Sequence, residues 1–368
     1  MVKAIILAGG YATRLRPLTL TTPKPLLPIL DKPVLDWIIE GLTRAGIKDI
    51  ILSVRYYSNK IKSRYDDGSE YGVNIYYAEE PRPLGDGGPI RYINEVYGLD
   101  ETFLVIYGDV FSNVDYTKLL NFHKTKGGLC TMTLIEVEDP SRYGIALLDD
   151  ESKIVKFVEK PRREEAPSNI ANAGIYVFEP EVLKYFPIKR SFGLAKDLIP
   201  KLLENNLSIY GYIHQGLWSD IGVPKDYFRA NIQALKTFYP KGHVGKDTEI
   251  ANTAEIINPV YISNNVTIED GSRIGPYTII NPNCKIGKYT RIIESIILKS
   301  TLIDLGTVIR RSIIGERSII GKWVRIEEDS IIGDEVILND EILLTRNTYI
   351  LPFKEVKESV FSEGKVIL

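Results

Sequence analysis

Downstream of the apolar run Lys3–Leu7 the chain reads LAGGYATRLRPLTLTTPKPLLPI, from Leu7 to Ile29. These residue types suit a polyphosphate. Gly9 and Gly10, after Leu7 and Ala8, let backbone N–H groups approach phosphate oxygens with no Cβ in the way. Arg14 offers a planar fork for a β/γ-phosphate oxygen pair, and Thr13 adds a hydroxyl donor. Lys24, held between Pro23 and Pro25, is a compact cation on a stiff segment. The spacing is neither G-x-x-x-x-G-K-[ST] nor G-x-G-x-x-G. Farther on, Asp109 follows the apolar run Phe103–Tyr107, so it projects at the carboxyl end of a strand.

The elements that must position these residues alternate. Lys3–Leu7, Asp49–Val54, Val73–Tyr77, Phe103–Tyr107 and Leu129–Ile135 read as strands. Pro33–Ala45, Pro89–Val96, Tyr116–Thr125 and Pro224–Phe238 read as amphipathic helices. This predicts an α/β, Rossmann-like domain with a mostly parallel sheet, whose ligands sit beyond the carboxyl ends of the strands.

After Pro240-Lys241-Gly242 the pattern becomes a repeat. Aliphatic residues recur every six positions at Ile262, Ile268, Ile274, Ile280, Ile286 and Ile292, and again at Leu302, Val308, Ile314, Ile320, Ile326 and Ile332. Hexapeptide repeats predict a left-handed parallel β-helix of roughly four coils. A loop or bulge is expected between Ile292 and Leu302. The expected domains are 1–240, carrying the chemistry, and 241–368, a β-helix with a C-terminal cap; a homo-oligomer through the β-helix domain is expected. Acyltransferases on such prisms generally need a histidine base in the coils, but His123, His214 and His243 all lie outside 262–337.

Bulk properties exclude other classes. Forty-six Lys+Arg against 48 Asp+Glu in 368 residues leave a formal charge of −2, which gives no footprint for nucleic acid. No apolar stretch is long enough to span a membrane and the N-terminus lacks signal-peptide features, so a cytoplasmic location is expected. Cys130 and Cys284 have neither disulfide-scaffold nor zinc spacing.

The Leu7–Ile29 string resembles the signature of the sugar-nucleotide pyrophosphorylases, nucleotidyltransferases that act on a nucleoside triphosphate and a sugar-1-phosphate. PLGDGGPI (Pro83–Ile90), VIYGDVF (Val105–Phe111), FVEKP (Phe157–Pro161), NAGIY (Asn172–Tyr176) and WSDIGVPKDY (Trp218–Tyr227) match further family segments in order. ILPFKEVKESV and the final Val366-Ile367-Leu368 resemble the end of the mannose-1-phosphate guanylyltransferase branch. The resemblance implies a catalytic set of Arg14, Lys24, Asp109 and Asp220, with Mg²⁺ on Asp109 and Asp220. It implies nucleotide binding by Leu7, Ala8, Gly9, Gly10, Thr13, Arg14, Glu80 and Gly85. Gly144, Glu159, Lys160 and Asn172 would bind the sugar phosphate, Gly144 by leaving room for the ring.

The base is less determined. Many thymidylyl- and uridylyltransferases place a Gln where this chain has Glu79 and Glu80. A carboxylate only accepts hydrogen bonds, which suits the paired N1–H and N2–H donors of guanine. The same segment carries Pro81 and Arg82 where the guanylyltransferases are shorter, so glucose-1-phosphate with UTP or dTTP stays open. A regulatory relative that binds nucleotide-sugar without turnover would have lost loop or carboxylate residues that are present here.

Overall fold

The computed structural model describes residues 2–80, 82–187 and 191–368. Strand Lys3–Leu7 lies between Asp49–Val54 and Phe103–Tyr107, parallel to both, and Asp49–Val54 is in turn parallel to Asn74–Glu79. The inner strands Lys3–Leu7, Asp49–Val54 and Phe103–Tyr107 read as largely apolar runs because both faces of the sheet are covered there: Ile5, Ile6, Ile50, Leu52, Leu104 and Val105 are fully buried. Helices Val34–Arg44, Gly88–Tyr97 and Tyr116–Lys126 fall within a few residues of their predicted spans.

The sheet is mixed beyond Phe103–Tyr107. Ile170–Phe178 pairs antiparallel with that strand and with Cys130–Glu136, while Ile209–Ile213 lies parallel to Cys130–Glu136. The hairpin Gly144–Leu148/Ile154–Glu159 extends this side. Its strands escape a search for apolar runs because Ile154–Glu159 alternates buried Ile154 and Phe157 with outward Val155 and Lys156.

Register decides what lies together. Leu7 is level with Tyr107 and Ser53, and Val54 with Glu79. The segments that follow these strands, holding Gly9, Asp109 and Glu80, therefore leave the same edge of the sheet. A short ribbon, Val110–Ser112 against Trp218–Asp220, sets Asp220 opposite Val110, one residue from Asp109.

The repeat forms three parallel sheets of eight, seven and six strands, stacked as expected of a left-handed β-helix. Hydrogen-bonded coils run from His243–Val244 to Val366–Ile367, well beyond the four predicted, and residues 339–368 continue the solenoid. The sequence window began too late and stopped too early, because Ile250 and Ile256 at one end and Leu338, Leu344 and Val356 at the other fill the same interior positions.

The second run of the hexad reading is corrected in part. Ile303 and Ile309 face the interior, whereas Leu302 and Val308 face outward. There is no loop between Ile292 and Leu302. Interior residues step by five instead of six at two corners, from Ile292 to Ile297 and from Ile309 to Ile314. Glu294 and Arg311, both at positive φ, turn these short corners, and their N–H groups donate to Pro276 O and Ile293 O one coil back, each at 3.0 Å. Each corner keeps its backbone bonded, so the deletions cost no ladder. Aliphatic pairs at 302–303 and 308–309 allowed a period of six to be drawn through the wrong member.

The chain packs into two compact units. One comprises the N-terminus to Tyr11, Lys24–Leu26 and Val34–Asp220; the other comprises Ala12–Pro23, Leu27–Pro33 and Ile221–Leu368. Within the second unit the early segments bond to much later residues. Thr21 Oγ1 donates to Asp334 at 2.5 Å, Ser263 Oγ to Asp31 at 2.6 Å and Asn281 Nδ2 to Leu30 O at 2.6 Å. Asn231, on helix Pro224–Phe238, accepts from Leu30 N at 2.8 Å. Burial raises the Asp334 carboxyl above the usual range, and the Thr21 hydroxyl opposes that shift.

The corrected register predicts unlike effects at neighbouring residues. Ile303→Ala should destabilise the protein by about 2–5 kcal/mol, whereas Leu302→Ala should cost less than about 1 kcal/mol, as measured by chemical denaturation.

Candidate active site

Asp109 sits in the turn after Phe103–Tyr107, which only a glycine at 108 permits: a Cβ there would lie 2.9 Å from Leu7 O. The Gly108 N–H donates to that carbonyl at 2.9 Å and ties the turn to the end of Lys3–Leu7. Asp220 comes from more than a hundred residues later and reaches the same place through the two-stranded ribbon. The buried Lys24 ammonium lies between them, with a very short bond to Asp109 Oδ2 and a 3.4 Å contact to Asp220 Oδ1. Burial disfavours that charge, but the two carboxylates outweigh it and hold Lys24 above the ordinary lysine range. Both aspartates keep about a third of their side-chain surface, 32% and 29%. The arrangement is an acidic pair open to solvent on one side and neutralised by one fixed cation on the other.

The two candidate glutamates separate. Glu79 is exposed and paired with Lys62 at 2.5 Å. Glu80 turns inward, accepts from Ser53 Oγ at 2.8 Å, and has Oε1 only 2.8 Å from where a Cβ on Gly9 would stand. Desolvation raises its carboxyl above the usual range, while Ser53 and Arg55 pull the other way. Ala8 is fixed beside it by its N–H to Ser53 O at 2.8 Å. Gly85 is at φ +77°, and a Cβ there would meet Phe192 O at 2.5 Å. The backbone of Leu84–Gly87 is held against Phe192 by bonds in both directions, each 2.9 Å.

Glu159 and Gly144 face each other across the hairpin. The room over Gly144 is filled by the Phe157 ring and the Glu159 carboxylate, which a Cβ would approach to 2.3 and 2.6 Å. Burial raises the Glu159 carboxyl, with Lys160 opposing and Asp86 reinforcing the shift. Lys160 is at φ +48° with its side chain largely exposed, 3.8 Å from Glu159. Asn172 spends both ends of its amide on the bulge around it, donating to Tyr176 Oη at 2.6 Å and accepting from Gly174 N at 3.0 Å. Thr13 and Arg14 form a short 3₁₀ turn, with Arg14 exposed, and belong to the second unit.

Residues 3–237 match the nucleotidyl transferase family, and residues 256–367 match the GMPPB C-terminal domain. The chain belongs to the nucleotidyl transferase family. Over 255 residues (69% of each chain) it is 42% identical to a provisionally named mannose-1-phosphate guanyltransferase of Sulfolobus acidocaldarius. It is 37% identical over 250 residues, 67% of this chain and 69% of the other, to the mannose-1-phosphate guanylyltransferase of Mycobacterium tuberculosis. It is 39% identical over 241 residues, 62% of each chain, to the UTP–glucose-1-phosphate uridylyltransferase of Synechocystis. Among solved structures, HddC from Yersinia pseudotuberculosis complexed with GMP-PN superposes with a TM-score of 0.53 at 29% identity. That match covers 63% of this chain and 98% of that one.

The candidate site contains residues that sequence reasoning passed over. Tyr107 donates a very short bond to Asp86, whose other oxygen accepts from Leu194 N at 2.9 Å. Tyr107 and Tyr176 hydroxyls are 3.5 Å apart, joining Asp86 to Asn172. Trp218 Nε1 donates to Ala173 O at 2.9 Å and anchors the strand that carries Asp220. All of these except Leu194 lie within, or at the edge of, the quoted motifs. Their side chains mark the site only once the network is visible.

Gly144→Ala should force Phe157 or Glu159 to move and cost about 1–3 kcal/mol in chemical denaturation. Gly10→Ala, where a Cβ meets nothing within 4 Å, should leave stability within about 0.5 kcal/mol of wild type.

Proposed function

We propose that this nucleotidyltransferase transfers GMP from GTP to mannose-1-phosphate, giving GDP-mannose and pyrophosphate. A phosphate oxygen of the sugar-1-phosphate forms a bond to the α-phosphorus. The bond from the α-phosphorus to the bridging oxygen breaks, and pyrophosphate leaves with the electron pair. The nucleophile is already anionic, so the site needs to supply alignment and charge neutralisation, with no covalent intermediate.

The observation that carries the choice of base is Glu80. Its carboxylate lies against the Gly9 backbone and can only accept, which matches the two adjacent N–H donors of guanine. The names of the Sulfolobus and Mycobacterium relatives support the same reading. The Synechocystis relative supports a second reading, uridylyl transfer to glucose-1-phosphate, with the same phosphate chemistry.

Asp109 and Asp220 fit a hard divalent cation. Their donors are all carboxylate oxygens, they converge on a point already favourable to positive charge, and they remain partly open. No cluster of three or more His, Cys, Asp or Glu suited to a metal occurs among the described residues. A Mg²⁺ ion held by two carboxylates would take its other ligands from water and phosphate, as Mg²⁺ commonly does. When bound, it would neutralise phosphate charge. Lys24 holds the two carboxylates in register and faces the α-phosphate region. Gly9 and Gly10 present N–H groups to the triphosphate. Lys160 and Glu159 hold the phosphate and hydroxyls of the sugar.

Pyrophosphate release is the direct test. GTP with mannose-1-phosphate should exceed UTP, dTTP or ATP with glucose-1-phosphate or glucosamine-1-phosphate; a maximum at UTP or dTTP favours the second reading. Asp109→Asn and Asp220→Asn should each lower kcat by at least about 10²-fold with the fold retained by circular dichroism. Glu80 must be ionised to accept from guanine, and its free-enzyme pKa is raised. The KM for GTP should therefore rise as pH falls from 7 towards 5, and Glu80→Gln should flatten that dependence and relax the preference for GTP.

A further inference from the structure

Arg55 is a half-buried cation beside the glycine loop that the phosphate chemistry above does not use. It follows strand Asp49–Val54, and Glu80 follows the adjacent parallel strand Asn74–Glu79, with Val54 level with Glu79. The Glu80 N–H donates to Val54 O at 3.1 Å, which carries the pairing one residue past the strands. Arg55 and Glu80 therefore leave the carboxyl edge of the sheet side by side. Both border the same glycine: a Cβ on Gly9 would stand 2.8 Å from Glu80 Oε1 and 3.4 Å from Arg55 Cβ. The Arg55 guanidinium lies over the Tyr11 ring, 5.1 Å from its centroid, and Tyr11 packs on Tyr56 at 5.0 Å. Stacking holds a guanidinium by its face and leaves its N–H edge available to a ligand. Among the described residues Arg55 makes no hydrogen bond or ion pair, although it is near enough to Glu80 to lower that carboxyl's proton affinity. An acceptor and a separate donor fork thus flank one stretch of backbone.

We infer that Arg55 reads the O6 edge of guanine while Glu80 takes N1–H and N2–H, so that the two residues together select the base. This rests on the GTP reading above and adds a second residue to it. A carboxylate alone is a weak selector, because it accepts from the amino group of adenine or the N3–H of uracil as well as from guanine. The guanidinium supplies the other half. In guanine the O6 and N7 acceptors adjoin the N1–H donor, and Arg commonly pairs with that edge. Adenine carries an amino group where guanine has O6, which sets donor against donor at Arg55. Uracil has one N–H between two carbonyls, so a carboxylate bonded to it has a carbonyl oxygen for a neighbour. Only guanine offers two adjacent donors to the acid and an adjoining acceptor to the fork. Stacking on Tyr11 fixes the fork before the base arrives, which lowers the entropy lost on binding.

Pyrophosphate-release kinetics of the full chain with GTP analogues altered at one group test the assignment. 6-Thio-GTP exchanges O6 for a poorer acceptor, and ITP lacks the 2-amino group. Wild type should use each with a kcat/KM at least about 5-fold below that of GTP. Arg55→Ala should raise the KM for GTP about 10-fold or more, with kcat within about threefold of wild type and the KM for mannose-1-phosphate unchanged. It should also bring 6-thio-GTP level with GTP while ITP stays discriminated. Glu80→Ala should do the reverse, losing the ITP discrimination and keeping that against 6-thio-GTP. Arg55→Lys, which retains a donor, should recover part of the O6 discrimination, and it carries the same comparison if circular dichroism shows Arg55→Ala to be unfolded. An Arg55→Ala loss that is equal for GTP, 6-thio-GTP, ITP and UTP marks a phosphate contact and overturns the inference. A wild type that prefers UTP or dTTP overturns the choice of base and this inference together. A wild type that prefers GTP, with the same analogue selectivity in the Arg55 variants, overturns this inference alone.

Discussion

One buried ammonium between two carboxylates is the constraint on which the catalytic unit depends. Lys24, Asp109 and Asp220 come from three separated parts of the chain, and each is costly alone. A buried lysine without partners loses its charge, and two nearby aspartates without a cation repel. Removing one member of such a set typically costs about 3–5 kcal/mol because a charge is left uncompensated. The trio is stable only when all three elements are in place: the Pro23–Pro25 segment, the turn at Gly108–Asp109 and the ribbon ending at Asp220. The same balance leaves anionic oxygens facing solvent beside a fixed positive charge. That is the electrostatic setting that phosphoryl chemistry needs before any substrate arrives.

The parallel register turns this local balance into a site. Lys3–Leu7 is level with Phe103–Tyr107 on one side and Asp49–Val54 on the other. The glycine loop, the metal-candidate turn and the Glu80 segment therefore emerge at one edge. Antiparallel additions through Ile170–Phe178 bring Glu159 and Asn172 into the same sheet. Half-buried carboxyls at Glu80 and Glu159 have their proton affinity raised by desolvation. Each is thereby ready to gain from hydrogen-bond donors on a ligand, which restore the charged form.

The β-helix obeys a different economy. Its coils are nearly all nearest-neighbour contacts, so a residue can be dropped at a corner without breaking the stack. It does so twice, at Glu294 and Arg311, and the corner N–H groups still find carbonyls one coil back. The second unit also holds two early segments through buried polar contacts such as Thr21 to Asp334. A short stretch near the N-terminus is thus ordered by residues three hundred positions away.

Much of this protein was legible in its sequence, for physical reasons. Apolar runs buried on both faces announce parallel strands, a period of six announces a prism, and a glycine pair after a strand with nearby Arg and Lys announces polyphosphate. Glu79 and Glu80 could not be told apart by type. Only strand register turns Glu80 onto Gly9 and leaves Glu79 with Lys62. The inward and outward members of the pairs Leu302–Ile303 and Val308–Ile309 were equally ambiguous, because two five-residue corners shift the phase and local hydrophobicity does not record a phase. Asn172 and Gly144 look the same in sequence whether they meet a ligand or their own chain. Tertiary structure decided that the Asn172 amide is occupied by the bulge and that the space over Gly144 is taken by Phe157 and Glu159. Residue type determined what chemistry was available, and the close approach of distant segments, which no local pattern encodes, determined where it is used.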